Sequence, residues 1–363
     1  MITEKDGTVY TKKLPMGCQQ CIKGEKLVFF VGGLCELPNH CRWYCPISEE
    51  KKGKSIKLVN ERIFNDWEDL WDEIEKTGAK GLSITGGEPL FSEEMQLFVL
   101  ELIKRTKARL GPTFHVHLYT NGKKFSPLVA SELKKVGIDE IRFHPSLEDF
   151  SVFSIAQREN LLFGAEVPVI PTEEYEKYLT LLLETLEVTG ASFLNLNELE
   201  MTPTNAKDLK KRGFRIKKNS LASVEGSERL ALRFIKKHVN SKLVLHYCPS
   251  VVKDSTQLRQ RYIRRANKVK RPYEEVTSDG LLIKGIVKGP NNLLSQLRSR
   301  LIEEGEVPPE MLYLPEGGTT LEGPAFLFAE KEILRIIKKQ KLEAGIVETL
   351  PLDTRDLCEY TPL

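Results

Sequence analysis

Short apolar runs alternate with longer amphipathic stretches over the first 250 residues, and this alternation constrains the fold more than any single motif does. Residues 26–34 (KLVFFVGGL) form a short, β-rich apolar run that reads as a buried strand. Residues 81–85, 114–119, 138–143, 165–170, 192–196 and 242–247 read the same way. Residues 66–77, 92–109, 126–136, 152–162, 172–189, 206–212 and 227–238 read as helices; in 92–109, Met95, Phe98, Val99, Leu102 and Ile103 recur at helical spacing. Seven strands alternating with helices through short loops are the pattern of βα units on parallel strands. The expected fold class is α/β, a partial or full (β/α) barrel. Such folds gather their chemistry at the C-terminal ends of the strands. Cys35, Gly86, Asn121, His144, Pro171, Asn197 and Cys248 each follow an expected strand end.

The pattern changes after residue 250. Residues 280–287, 311–314, 325–329 and 345–350 read as strands, and 291–304 and 330–339 as helices. That β-α-β-β-α-β order predicts a small α+β domain of the ferredoxin-like, split βαβ kind. The expected organisation is therefore an extension over 1–26, a barrel over 27–250, a basic linker helix over 251–271 and a C-terminal domain over 272–363. Apolar residues make up 40% of the 363, enough for a sizeable core, and the net charge of +3 implies no partner by itself. The early apolar run 27–34 is too short to span a bilayer. No signal-peptide core opens the chain, so the expected location is the cytoplasm with no membrane contact.

Seven cysteines stand at 18, 21, 35, 41, 45, 248 and 358. An odd number in a long chain argues against a disulfide scaffold and for metal-binding or catalytic thiols in a reducing compartment. Cys35, Cys41 and Cys45 fall in one loop after the first strand, at x5 and x3 spacing. Three clustered thiols suit zinc, which ordinarily wants a fourth ligand and paired knuckles, or a [4Fe–4S] cluster with one iron left open. The loop alone leaves both readings standing. Gly86-Gly87-Glu88-Pro89 ends the second strand and shifts the balance toward iron–sulfur. Two glycines there let a ligand approach the backbone closely, and Glu88 is placed to accept from an ammonium group. The plain alternative is an ordinary βα turn.

With a three-cysteine loop on the first strand and a GGE motif on the second, the sequence resembles the radical SAM superfamily over roughly residues 27–250. The whole chain is similar to an archaeal group of unassigned function related to pyruvate formate-lyase activating enzymes. The resemblance implies a barrel of the radical SAM type. It implies that Cys35, Cys41 and Cys45 hold a [4Fe–4S] cluster and that Gly86, Gly87 and Glu88 hold the amino end of S-adenosylmethionine. It places Tyr44 against the adenine, Asn121 of Thr120-Asn121-Gly122 near the nucleoside, and the backbone of 167–171 beside adenine. It also implies an electron donor of the ferredoxin or flavodoxin type. The family's usual cysteine spacing is x3 then x2, so the spacing here assigns no subfamily.

Other residues carry weaker signals. Cys18-x2-Cys21, Cys248 and Cys358 number four, a possible set for a second cluster or a zinc. Alternatively Cys248 is a catalytic thiol that donates to a substrate radical, or Cys248 and Cys358 are buried small hydrophobes. Asn195, Asn197, Glu198 and Glu200 form a polar strand end suited to substrate or to a cap. His115 and His117 share one face of the third strand and read as core, and His144 follows the fourth. Residues 253–271 hold eight Lys or Arg, at 253, 259, 261, 264, 265, 268, 270 and 271, against one acid, Asp254. That density suits RNA phosphates, although most charge runs are solvated helix faces. The expected function is a radical SAM enzyme that reductively cleaves S-adenosylmethionine and abstracts hydrogen from a substrate, with tRNA favoured. The alternatives are an activating enzyme that makes a glycyl radical on a partner protein, and a non-catalytic, zinc-stabilised RNA-binding protein.

Overall fold

The computed structural model describes every residue except Met1, Asp6, Pro38 and Glu148, and omits the side chain of Asp254. It divides into two units, residues 1–75 with 79–258 and residues 76–78 with 259–363. The first unit opens with β1 (Thr3–Lys5), β2 (Thr8–Tyr10), α1 (Met16–Ile22) and β3 (Lys26–Phe30). After the cysteine loop come β4 (Leu58–Val59), β5 (Arg62–Ile63) and α2 (Trp67–Thr77). Then β6 (Gly81–Thr85), α3 (Glu93–Leu110), β7 (His115–Thr120), α4 (Pro127–Lys135) and β8 (Glu140–Phe143) alternate. The series continues through α5 (Ser151–Arg158), β9 (Phe163–Val169), α6 (Glu173–Val188) and β10 (Phe193–Glu198). It closes with α7 (Ala206–Lys211), α8 (Ser227–Lys237), β11 (Val244–Cys248), α9 (Ser250–Val252) and a π-helical turn, Lys253–Leu258.

The seven expected strands are β3 and β6 to β11, and they pair in parallel in chain order. The sheet does not close. Antiparallel β4 and β5 cover the β3 edge, and antiparallel β2, followed by β1, covers the β11 edge. The fold is thus the partial form of the barrel. Helix starts follow from their caps: Ser92, Ser126 and Thr172 each accept from the backbone N–H three residues on. Pro127 stands at the first turn of α4, where its missing N–H costs nothing.

The second unit holds α10 (Arg259–Val269), β12 (Glu275–Val276), β13 (Leu282–Lys288), α11 (Asn291–Glu303), β14 (Thr320–Gly323), α12 (Ala325–Ala329), α13 (Lys331–Lys339), β15 (Glu343–Thr349) and β16 (Leu357–Pro362). Its strands are all antiparallel, with β13 between β14 and β15. Two of the expected strands differ: the third falls earlier, at β14, and the second is reduced to a bridge. Residues 325–329 are a helix starting after Pro324, with Leu327 and Phe328 buried. A five-residue apolar run carries no period that separates strand from helix. Residues 311–314 give only a bridge from Tyr313 to Glu322 after a 3-10 turn. The final strand β16 went unforeseen because it is an exposed edge without apolar alternation.

The outward face of the first unit's parallel strands is apolar and buried, as βα packing requires. The inner face, which α1 packs against, is polar. Its centre is Arg142 of β8, 3% exposed. Arg142 donates to Glu140 at 2.6 Å and to Glu166 of β9 at 2.7 Å. It also donates to Tyr119 at 3.1 Å and to the Cys18 sulfur at 3.4 Å. Lys26 donates to His115, and His117 bonds Ser83, which joins β3, β6 and β7 to the same network. Burial raises the Glu140 carboxyl, but Arg142 and His115 outweigh it and hold it down at about 2. Removing the guanidinium leaves two carboxylates buried without their cation. Arg142→Met is therefore expected to cost roughly 3–5 kcal/mol of unfolding free energy in urea titrations. A loss below about 1 kcal/mol would show that the network does not organise the core.

Candidate functional site

Cys35, Cys41 and Cys45 line one cavity of about 300 Å³ at the C-terminal ends of the strands. Each thiol is partly exposed. Burial, then the neighbouring Glu88, Glu36 and Cys45, pushes the Cys35 thiol up to about 11. Burial with Cys45 and Cys35 pushes Cys41 to about 12. Asn39 ties two of them together, donating to the Cys35 sulfur and accepting from Cys41, each at 2.8 Å. Among the described residues, the one trio of His, Cys or acidic donor atoms within 4.8 Å of one another is His40, Cys41 and His144. A cluster spreads its ligands over several irons, so three thiols of one loop facing one cavity suit it.

The two glycine pairs explain how the loop is held. Gly87 N donates to Gly32 O and Glu88 N to Leu34 O, both at 2.7 Å. A Cβ on Gly87 would lie 2.2 Å from Leu34 O, and one on Gly86 2.5 Å from Gly32 O. These glycines therefore admit the cysteine-loop backbone itself, and Gly86 and Gly87 also line the cavity. Glu88 is fully buried. It accepts from Thr120 Oγ1 and Asn121 N at 2.7 Å and from Leu90 N at 3.0 Å. Its carboxylate staples the end of β7 to the end of β6, where the sequence had suggested an acceptor for an ammonium ligand. Glu36, beside Cys35, was not foreseen: its Oε1 is buried without a partner, and its Oε2 accepts from Asn121 Nδ2 at 3.2 Å.

Tyr44, Asn121 and His144 line the same cavity. His144 Nδ1–H donates to Glu166 O at 3.1 Å, so its Nε2 accepts from the Tyr44 hydroxyl at 2.9 Å. Burial keeps His144 neutral by pushing it below its usual range. His40 stacks on His144 with ring centroids 5.2 Å apart and has no partner on either ring nitrogen. Asn197, Glu198, Glu200 and Pro168 complete the wall, while Pro171 does not line it. Glu198 and Glu200 are also spoken for structurally: Glu198 accepts from Ser250 N and Oγ, and Glu200 pairs with Lys253. His115 and His117 lie in the buried polar network described above.

Cys248 and Asn195 line a second, deeper cavity of about 270 Å³, together with Cys18 and Cys21. Thr85, Tyr119, Glu166, Asn197 and Lys253 border both cavities. Cys358 belongs to the second unit, exposed on β16. Part of the basic run serves the fold. Lys253 pairs with Glu200, Arg265 is buried and donates to Pro351 O and Asp353, and Arg271 pairs with Glu322.

Comparison with known proteins bears on this geometry. The family described as "Radical SAM superfamily" matches residues 37–185. A protein of Methanocaldococcus jannaschii named "Putative glycyl-radical enzyme activating enzyme MJ0021" is 37% identical over 313 residues, 83% of this chain and 80% of that one. The chain belongs to the radical SAM superfamily. It is thus a radical SAM enzyme, and its cofactors are those of the superfamily, a [4Fe–4S] cluster and S-adenosylmethionine. Among solved structures, Streptococcus suis SuiB bound to S-adenosylmethionine is 11% identical with a TM-score of 0.43, covering 71% of this chain and 59% of its own. Escherichia coli coproporphyrinogen III oxidase, HemN, is 12% identical with a TM-score of 0.36, covering 64% and 57%. The chain spans little more than half of either structure. Among the described residues, no helix is long and apolar enough to cross a membrane.

The chain's own residues fit a cluster: three thiols of one loop line one cavity, and iron binding would displace their protons. Gly87→Ala should displace the cysteine loop and lower iron per chain at least several-fold after anaerobic reconstitution, while Gly317→Ala, at a positive φ in the second unit where its Cβ meets nothing within 4 Å, should not. Equal iron in both would detach the glycine pair from the loop. Burial pushes Glu88 up to about 7 from 4.5, opposed by its three hydrogen bonds. The folded chain then binds a proton that the unfolded chain releases between those values. Stability from this group is present below pH 4.5 and lost as pH rises through 7. Urea unfolding of metal-free wild type and Glu88→Gln at pH 4.5 and 7.5 should show their difference changing by about 3 kcal/mol. A pH-independent difference would place the carboxyl in a wetter site.

Proposed function

We propose that this enzyme activates a partner protein by removing a hydrogen atom from a glycine Cα, leaving a glycyl radical. The observation that carries the reading is the 37% identity to a protein named as a glycyl-radical enzyme activator, over 83% of this chain. Lys253, Arg265 and Arg271 of the basic run pair within the protein, which weakens the case for RNA as substrate. In this reading Cys35, Cys41 and Cys45 hold the cluster. Gly86 and Gly87 present backbone to the amino end of S-adenosylmethionine. Glu88 acts as a positioning residue, fixing Thr120 and Asn121. Glu36 offers a buried, unpartnered oxygen to the ammonium group. Tyr44, locked by His144, walls the nucleoside side of the cavity.

When bound, the cofactors supply a 5′-deoxyadenosyl radical at the expense of one electron from a ferredoxin- or flavodoxin-type donor. The balance is then S-adenosylmethionine, one electron and the glycine C–H giving methionine, 5′-deoxyadenosine and the glycyl radical. The protein contributes orientation and exclusion of water and oxygen. Reconstituted wild type with dithionite and S-adenosylmethionine should form 5′-deoxyadenosine, and Cys41→Ala should form none. Incubated with a glycyl-radical enzyme from the same cell, wild type should produce the doublet electron paramagnetic resonance signal of a glycyl radical. Turnover of 5′-deoxyadenosine stimulated by tRNA, with no protein radical, would overturn the assignment.

A further inference from the structure

We infer that the deeper cavity is the site of a second iron–sulfur cluster, held by Cys18, Cys21 and Cys248 with His246 as the fourth donor. The inference goes beyond the proposed activation and does not depend on which substrate is right. Cys18 and Cys21 stand three residues apart on α1, the spacing that puts two side chains on one helix face. Cys248 and His246 stand two apart on β11, which gives them one strand face. All four line the same cavity. The helix reaches the inner face because Gly17 precedes Cys18. A Cβ there would lie 2.4 Å from His117 Nδ1 and 2.5 Å from Arg142 Nη2.

His246 is prepared as a ligand. Asn195 Nδ2 donates to Glu166 Oε2 at 2.8 Å, which turns Asn195 Oδ1 toward His246 Nδ1 at 3.2 Å. The imidazole therefore carries its proton on Nδ1, and Nε2 is left as a bare lone pair. That atom is buried and has no partner. A buried acceptor left unpaired costs free energy, and an imidazole held through its other nitrogen is how proteins orient a metal ligand. The Cys18 sulfur receives N–H groups from Arg142 and from Asn195, each at 3.4 Å, which stabilises a thiolate bound to iron.

The volume selects a cluster over a single ion. At roughly 30 Å³ per water, a cavity of about 270 Å³ is far larger than one ion needs. In this arrangement Cys248 is a cluster ligand and not a hydrogen donor to substrate.

The test uses the full chain reconstituted anaerobically with iron and sulfide. Wild type should bind about eight irons per chain, four for each cluster. Cys35→Ala, Cys41→Ala and Cys45→Ala combined should leave about four, with the electron paramagnetic resonance signal of one reduced cluster. Cys21→Ser, at a partly exposed position, should also leave about four, and Cys248→Ser should agree with it. His246→Gln should keep the iron but alter the g-values of the signal that survives in the triple variant. About four irons in wild type, unchanged in Cys21→Ser, would overturn the inference. So would one zinc per chain lost in Cys21→Ser. Loss confined to the triple variant reports on the loop site alone, so the two sites fail separately.

Discussion

The Arg142 guanidinium is the interaction on which the rest of the first unit depends. A parallel sheet curled around a polar interior must neutralise every charge it buries, since an unpaired ion there costs several kcal/mol. Glu140 takes one edge of Arg142 and Glu166 another. Glu166 in turn accepts from Tyr119, Asn195 and Asn197, so a single cation orients side chains on β7, β8, β9 and β10. The network ends at the Cys18 sulfur on one side and near the mouth cavity on the other. Barrels of this class are usually filled by branched apolar layers. Here the interior is kept polar, which costs stability and leaves space and donors where chemistry is done.

Above that network, the mouth is assembled by backbone more than by side chains. Gly32–Gly33 and Gly86–Gly87 let the ends of β3 and β6 pack closely enough for Gly87 N and Glu88 N to bond the loop before Cys35. Glu88 then carries the connection to β7 through Thr120 and Asn121. Three consecutive strand ends are thereby fixed relative to three thiols on a loop without regular secondary structure. A motif that reads as ligand-binding from its letters thus works as a joint between strand ends.

How legible this was in the sequence divides along one physical line. Apolar patterning reports burial, so the seven parallel strands and their helices were readable, with most ends shifted by a residue or two, as for 242–247 against Val244–Cys248, and two by four, 26–34 against Lys26–Phe30 and 152–162 against Ser151–Arg158. The flanking elements were not readable, because β4 and β5 are two residues each and too short for any period. The loop thiols and the glycine motif were visible as spacing. Arg142, Glu140 and Glu166 were not singled out, since each sits inside a run scored as apolar. The available signal was their alternation, Glu140 with Arg142 and His115 with His117, each two residues apart on one face. Glu36 and His40 lay in plain view inside the cysteine loop, but an unpartnered atom is a property of packing and leaves no mark on a sequence.

The basic run teaches the complementary lesson. Eight cations within nineteen residues look like a surface when counted along the chain. A surface is defined by what remains after pairing, and here pairing takes the charges in different directions. Arg265 is 2% exposed and holds Pro351 O, while Arg271 joins Tyr273 and Glu322. Lys253 turns instead into the first unit, where it pairs with Glu200 and borders both cavities. A clustered iron site is anionic once its thiols ionise, so the cation with most bearing on function is the one that left the run. Its place on the wall shared by both cavities sets a positive charge between two groups of cysteines, which opposes accumulation of negative charge there.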